Sequence, residues 1–395
     1  MNQSLCILGR QPALGLAELE SLYGANAIRP VGEAAALALL PPEQLEFARL
    51  GGSVKLGRVI EQLHSANWSQ FEKYAYKLAK NLAHELPEGK IQLGLSVYDF
   101  DGVSPQKITA IGLTLKKQLK KAGRSVRLVP NNEPALSSAQ VFHNHLAGEH
   151  GCELLIVHDG HDIFIAQTTD VQDIDSYTLR DRGRPKRDSK VGMLPPKLAQ
   201  IIINLAVGEL KGQNTTILDP FCGTGVLLQE AYLMGHGIYG TDIEPRMIDY
   251  TDANLQWIQS IHSRRVEGAT EVGDATQHVW QKTPFNAVAC EGYLGQPFSA
   301  FPTEAKLRDV MQTCNTIMKG FLKNIHGQIQ PGTRLCVALP AWQRKPGEFL
   351  CLPLLDSLEE IGYNRIGFEH ASDNDLIYAR ADQIVARQLV VLTRK

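Results

Sequence analysis

The chain has no apolar run long enough to cross a bilayer; its most apolar-looking stretch, residues 34–40, stops at Pro41-Pro42. It also lacks the basic start and apolar core of a secretory leader, so the expected compartment is the cytoplasm. Charge of one sign is missing as well. Lys plus Arg number 40 and Asp plus Glu number 42, for a net charge of −2. No global field therefore draws a polyanion, and any nucleic-acid contact must come from local basic faces. Paired cysteines are absent: there are 7, an odd number, with no Cys-x-x-Cys. Several lie in apolar runs, such as Leu335-Cys336-Val337, which points to reduced, buried thiols rather than a disulfide framework. No repeat, low-complexity segment or coiled-coil heptad stands out, and a monomer is the expectation. What is present is ample for large cores: 395 residues, 44% of them hydrophobic, enough for two or three domains.

The most specific feature is Leu218-Asp219-Pro220-Phe221-Cys222-Gly223-Thr224-Gly225. It follows the strand-like Thr216-Ile217-Leu218 and precedes a helical pattern over 226–234. Glycines let a ligand lie against the backbone, and the helix start offers free N–H groups. An acid at the strand end suits an ammonium group, which points to S-adenosylmethionine rather than a nucleotide phosphate. A second strand over 237–240 ends at Thr241-Asp242-Ile243, and Asp242 stands where ribose hydroxyls find an acid. A third acid, Asp274, followed by Ala275, could accept from an adenine amino group. Dinucleotide readings fit poorly. A Gly-x-Gly-x-x-Gly fingerprint needs glycine at 228, which is Leu228, and no Lys follows Gly225 as a phosphate-binding loop requires. The plain alternative is a turn that uses glycine for geometry alone.

Upstream, residues 1–65 read as one small α/β unit and 66–170 as a second. Helices are expected over 70–84 and 108–121, with another beginning near Ser137-Ser138. Strands are expected over 90–97, 153–157 and 162–167, the last two about the turn Asp159-Gly160. Residues 171–192 read as a basic linker, charged and poor in apolar residues. From 193 to 395 helix and strand alternate, which argues for a mainly parallel sheet covered on both faces.

Two stretches concentrate positive charge. Residues 104–130 carry seven Lys or Arg and no acid. Lys116, Lys117, Lys120 and Lys121 share one helical face that could neutralise phosphates. The linker adds Arg180, Arg182, Arg184, Lys186, Arg187 and Lys190 against Asp181 and Asp188. A solvated helix surface is the bland reading of either stretch; together they favour a polyanion such as RNA.

The acceptor of a methyl group would sit after the strand over 286–290, at Glu291-Gly292-Tyr293-Leu294-Gly295. Enzymes that alkylate exocyclic base amines usually carry Asp/Asn-Pro-Pro-aromatic there. The amine lone pair is delocalised into the ring, so groups accepting its N–H bonds localise it and an aromatic side chain fixes the base plane. This chain keeps an acid, Glu291, and an aromatic, Tyr293, shifted by one place, and lacks both prolines. An ion-paired or surface Glu is the alternative. Cys290 and Cys222 read as packing thiols rather than nucleophiles. His143, His145, His150 and Cys152 lack ligand spacing, and no metal is expected.

These motifs, in order, resemble the THUMP-domain tRNA guanine-N2 methyltransferases of archaea and eukaryotes. The similarity also includes Leu8-Gly9-Arg10-Gln11-Pro12-Ala13-Leu14-Gly15-Leu16-Ala17-Glu18-Leu19-Glu20, the region 127–146 with Ser137-Ser138-Ala139-Gln140-Val141 and His143-Asn144, and Arg182-Gly183-Arg184-Pro185-Lys186-Arg187-Asp188 followed by Val191 to Ala199. The resemblance implies an α/β protein: a Rossmann-like class I methyltransferase domain at 193–395, preceded by a ferredoxin-like domain at 1–65 and a THUMP domain at 66–170 that grip tRNA. It implies cofactor contacts from Pro196, Asp219, Phe221, Cys222, Gly223, Gly225, Asp242, Ile243, Asp274 and Ala275, with Glu291 and Tyr293 at the acceptor. It departs from the family at Gly292-Tyr293-Leu294, which leaves open a catalytically silent tRNA-binding protein or a methyltransferase acting on another base or amine.

Overall fold

The computed structural model describes residues 2–188, 194–209, 215–262, 268–296, 298, 300–345, 347–380 and 383–395. The chain divides into two compact units, one holding most of residues 1–176 and the other 177–395 with the short segments 17–24 and 49–51.

The first unit contains β1 (Ser4–Leu8), most of the first half of α1 (Pro12–Tyr23), β2 (Ile28–Val31), β3 (Ala35–Ala38), β4 (Ser53–Leu63), α2 (Trp68–Glu85), β5 (Lys90–Tyr98), α3 (Pro105–Lys121), β6 (Ser125–Leu128), α4 (Ser138–His143), β7 (Gly151–His158) and β8 (Ile163–Val171). Capping residues set its helices: Asn67 and Ser137 each form reciprocal capping boxes with the Gln three residues on, and Ser104 caps α3. The apolar positions of α2 and α3 meet the β5 and β7 face in one core. Among the described residues the strands form one eight-stranded sheet in the order β2-β3-β1-β4-β8-β7-β5-β6. The two α/β segments expected on either side of residue 65 contribute their strands to this one sheet. Strand β4, from the first segment, pairs antiparallel with β8, from the second, over Lys55 to Leu63. The sheet is pinned by a buried ion pair: Lys55 Nζ donates to Glu153 Oε1 at 2.5 Å, while Ser96 and Thr168 donate to the same carboxylate.

The second unit holds most of α5 (Ile174–Arg182), together with α6 (Pro196–Val207), β9 (Thr216–Asp219), α7 (Val226–Leu233), β10 (Gly237–Asp242), α8 (Pro245–Ile261), β11 (Gly268–Val272), β12 (Ala287–Glu291), α9 (Glu304–His326), β13 (Arg334–Lys345), β14 (Glu348–Leu350), α10 (Leu358–Ile361), β15 (Tyr363–Arg365), β16 (Ile377–Tyr378) and β17 (Val385–Arg394). Its main strand order is β11-β10-β9-β12-β13-β17-β15. The first five are mutually parallel and β17 runs antiparallel to both neighbours. Apolar runs such as Val288-Ala289-Cys290 are buried because a parallel sheet is covered on both faces. This is the Rossmann-like, mainly parallel sheet expected. Chain order reverses between β9 and β12, and the crevice outside the carboxyl ends of those strands is where such sheets bind ligands. One expectation changes: within the basic linker expected over 171–192, residues 174–182 are helical.

Candidate active site at the carboxyl edge of the parallel sheet

Asp219 ends β9, Asp242 ends β10, and Glu291 ends β12. Asp274 follows β11. The sheet therefore gathers at one edge acids spread over more than seventy positions. Between the first two lies the turn 220–225. Phe221 N–H donates to Asp219 Oδ1 at 3.1 Å, and Gly223 N–H donates to Asp242 Oδ2 at 2.9 Å. Asp242 Oδ1 accepts from Glu244 N–H at 2.9 Å. Gly223 and Gly225 have φ of 53° and 79°, a region that L side chains rarely enter. At Gly223 a Cβ would meet nothing, so it would project into the open crevice; at Gly225 it would strike Thr251. Thr251 Oγ1 donates to Gly223 O at 2.8 Å, and Asn254 Nδ2 to Thr224 O at 2.8 Å, so helix α8 fixes the turn from behind.

The electrostatics are those of a site for a cation. Asp219 is 3% exposed. Burial pushes its carboxyl well above the usual range, the Phe221 N–H opposes this, and the charges of Asp242 and Glu291 push it further up. Burial also raises Asp242, against the two backbone N–H groups that stabilise its charge. No ion pair to Asp219 or Asp242 exists among the described residues. Asp274 behaves differently: hydrogen bonds from Thr276 N–H and Oγ1 hold it below the usual range, and its Oδ2 accepts from Gln277 at 3.2 Å.

Ile243, next to Asp242, is 63% exposed. Phe221 is half-buried and packs edge-on against Phe321 with ring centroids 5.2 Å apart. Ala275 is buried beneath, and its carbonyl accepts from Asn324. Pro196 is a buried first-turn residue of α6, the helix that packs on α7, β12 and β13. Cys222 and Cys290 are buried, and burial pushes both thiols well above the ordinary range, which disfavours the thiolate a nucleophile needs.

At the acceptor side Tyr293 is exposed. Glu291 is ion-paired: Arg387 Nε, from β17, donates to its Oε1. Arg387 escaped the sequence reading because it lies 96 positions away. Nothing local marks it, and only the pairing of β17 with β13 brings it to this edge.

The basic positions divide. Lys117, Lys120 and Lys121 are exposed and Lys116 half-buried on α3, around a shallow depression floored by exposed Leu113. Arg182, Lys186 and Arg187 are exposed. Arg180 and Arg184 are not available to RNA as expected. They are 8% and 4% exposed. Arg180 Nε donates to the buried Glu230 at 2.7 Å, and its guanidinium lies 4.4 Å from the Tyr177 ring centre. Lys190 lies outside the described residues. His145 falls beyond α4 with φ of 52°, and no metal-holding group of His, Cys, Asp or Glu exists among the described residues.

Residues 211–363 match the family model of a methyltransferase domain. Over 176 residues the chain is 30% identical to the tRNA (guanine(10)-N2)-dimethyltransferase of Pyrococcus abyssi, covering 44% of each chain. A 65-residue stretch is 51% identical to the protein of the same name from Methanothermobacter thermautotrophicus, covering 16% of this chain and 18% of that one. The matches thus span less than half the length of these curated relatives. TrmN from Thermus thermophilus shares the fold, with a TM-score of 0.51 at 16% identity over 100% of this chain and 99% of that one. A possible methylase from Clostridium difficile does so at a TM-score of 0.52 and 12% identity, covering 98% of this chain and 97% of that one.

Proposed function

We propose that this protein is a cytoplasmic S-adenosylmethionine-dependent tRNA methyltransferase acting on the exocyclic N2 amine of guanosine. The observation that carries the reading is the buried Asp219 beside the glycine turn, without a cation partner among the described residues, within a segment matching a methyltransferase domain. The residues present fit this cofactor. Asp219 offers a carboxylate to its ammonium, Asp242 to its ribose hydroxyls and Asp274 to its adenine amine. Ile243 offers an apolar face for the base, and the open space at Gly223 admits the backbone approach. When bound, the cofactor supplies an electrophilic methyl group on a sulfonium. The chain's own task is orientation. Glu291 accepts an amine N–H, which localises the nitrogen lone pair, and Tyr293 is the aromatic that stacks on the base. Strong proton abstraction is not needed, because the amine becomes acidic only as it is alkylated.

We assign tRNA as the partner on the names of the curated relatives and on the exposed lysines of α3 with Arg182, Lys186 and Arg187. On this reading the first unit comprises the ferredoxin-like and THUMP domains and holds the RNA. Incubating the protein with labelled cofactor and bulk tRNA, then digesting to nucleosides for mass spectrometry, tests it. N2-methylguanosine or its dimethyl form is expected; label on another atom rejects the guanine-N2 assignment. The Glu291–Arg387 pair favours one second reading, a tRNA-binding protein without transferase activity, which the same assay distinguishes by tRNA binding without label.

A further inference from the structure

The acceptor segment 291–295 has lost the two prolines that would stiffen it, and it carries glycine at both 292 and 295. A carboxylate that must hold an amine within hydrogen-bond reach gains little from a strand end followed by glycine. The structure supplies a different restraint. Arg387 is 5% exposed, donates from Nε to Glu291 Oε1, and donates from Nη1 to Gln383 Oε1 at 3.4 Å. Both members of the pair ride on the sheet. Glu291 stands opposite Ala338 in the parallel β12–β13 ladder, and Arg387 opposite Pro340 in the antiparallel β13–β17 ladder. Main-chain hydrogen bonds, rather than a loop, therefore fix the distance between them. Gly292 N–H adds a bond to Ala338 O at 3.0 Å, tying the residue after the carboxylate to the same central strand.

Among the described residues, Glu291 alone of the four acids at this edge has a cation partner. The unpaired Asp219 suits an ammonium group of a ligand, whereas a paired carboxylate does not. The pairing therefore separates the acceptor acid from the acids that face the cofactor. It also occupies one oxygen and leaves the other: among the described residues, Glu291 Oε2 has no hydrogen bond.

We infer that Arg387 is a positioning residue of the acceptor site. It clamps Oε1 of Glu291 so that Oε2 presents a fixed, charged acceptor to an exocyclic amine N–H, in place of the rigidity that the missing prolines would have given. This inference rests on the methyltransferase reading above. The pair is then a working part, not the mark of a silent protein.

The test compares wild type, Arg387→Ala, Arg387→Gln, Arg387→Lys, Glu291→Gln and the double variant Arg387→Ala/Glu291→Gln, with thermal melting of each and cofactor affinity by calorimetry. In Arg387→Ala, kcat is expected to fall about 100-fold, the cost of a misplaced reacting group, while KM for tRNA and cofactor affinity move by less than about twofold. Arg387→Lys restores part of the rate, since an ammonium pairs one oxygen without the guanidinium fork. The double variant is no slower than Glu291→Gln alone, because the clamp acts through that carboxylate. If alanine prevents folding, Arg387→Gln carries the same comparison. A wild-type kcat in folded Arg387→Ala or Arg387→Gln overturns the clamp, as does an Arg387 effect that simply multiplies that of Glu291→Gln, or one confined to cofactor affinity. A wild-type protein that transfers no methyl group overturns both the functional reading and the clamp; an active wild type with indifferent Arg387 variants overturns the clamp alone.

Discussion

Replacing Asp219 by Asn should weaken cofactor binding and stabilise the free protein at the same time. The side chain is buried, its Oδ1 accepts the Phe221 N–H, and no cation is paired with it among the described residues. In Asp219→Asn the acceptor for Phe221 is kept, so the turn holds its shape, while the buried charge disappears. A charged hydrogen bond to an ammonium contributes about 1.5–3 kcal/mol, which corresponds to roughly 10- to 150-fold in affinity. The pH dependence has a definite sign. The carboxyl of the free protein titrates well above its ordinary range, so in the unfolded chain it ionises first. Native stability is therefore unaffected at low pH, where both states are protonated, and is lost as pH rises towards the raised folded value. Asp219→Asn removes that loss, and its melting temperature should exceed that of wild type by a margin that grows with pH. Cofactor affinity runs the other way: the wild-type protein gains affinity as Asp219 ionises, and the variant does not. Calorimetry and melting curves between about pH 5 and pH 7.5, below the usual titration of an α-amino group, measure both. Equal affinities for the two proteins, or an affinity gap that fails to narrow at low pH, would refute the assignment of Asp219 to the ammonium.

Changing Lys116, Lys117, Lys120 and Lys121 together to Ala should weaken tRNA binding and lower the slope of log K against log salt by about 3, with melting and cofactor affinity unchanged. An unaltered slope in a filter-binding titration rules this face out. Arg180→Ala should instead destabilise the second unit by about 3 kcal/mol at neutral pH, since it strips the buried Glu230 of its partner. The expected melting drop is roughly 6–12 °C for a unit of this size. Glu230 already titrates above its ordinary range because of burial, so the deficit shrinks as acid neutralises it. Loss of tRNA affinity in a variant that melts normally would restore Arg180 to the RNA surface.

What could be read from the chain was whatever is local. The turn from Asp219 to Gly225, the acid at 242 and the capped start of α4 are each written in fewer than ten consecutive residues, because φ above zero, caps and strand ends leave short signatures. What could not be read depends on partners far along the chain. Arg180 and Arg184 carry the same chemistry as Arg182 and Arg187, and composition gives no clue to which side of a short polar helix faces Glu230. The Glu291–Arg387 pair and the β4–β8 ladder are likewise products of sheet topology. Charge runs mark where a cation stands in the sequence, not whether water reaches it.

The single sheet of the first unit limits how the protein can be dissected. A cut near residue 65, between the two segments that look separable in sequence, would unzip β4 from both β8 and the strands beyond. It would leave two raw sheet edges and put Lys55 and Glu153, each buried, on different fragments without their counter-charges. Fragments made at that point should aggregate rather than report an RNA-binding activity, so an inactive half-protein would say nothing about which half touches the RNA.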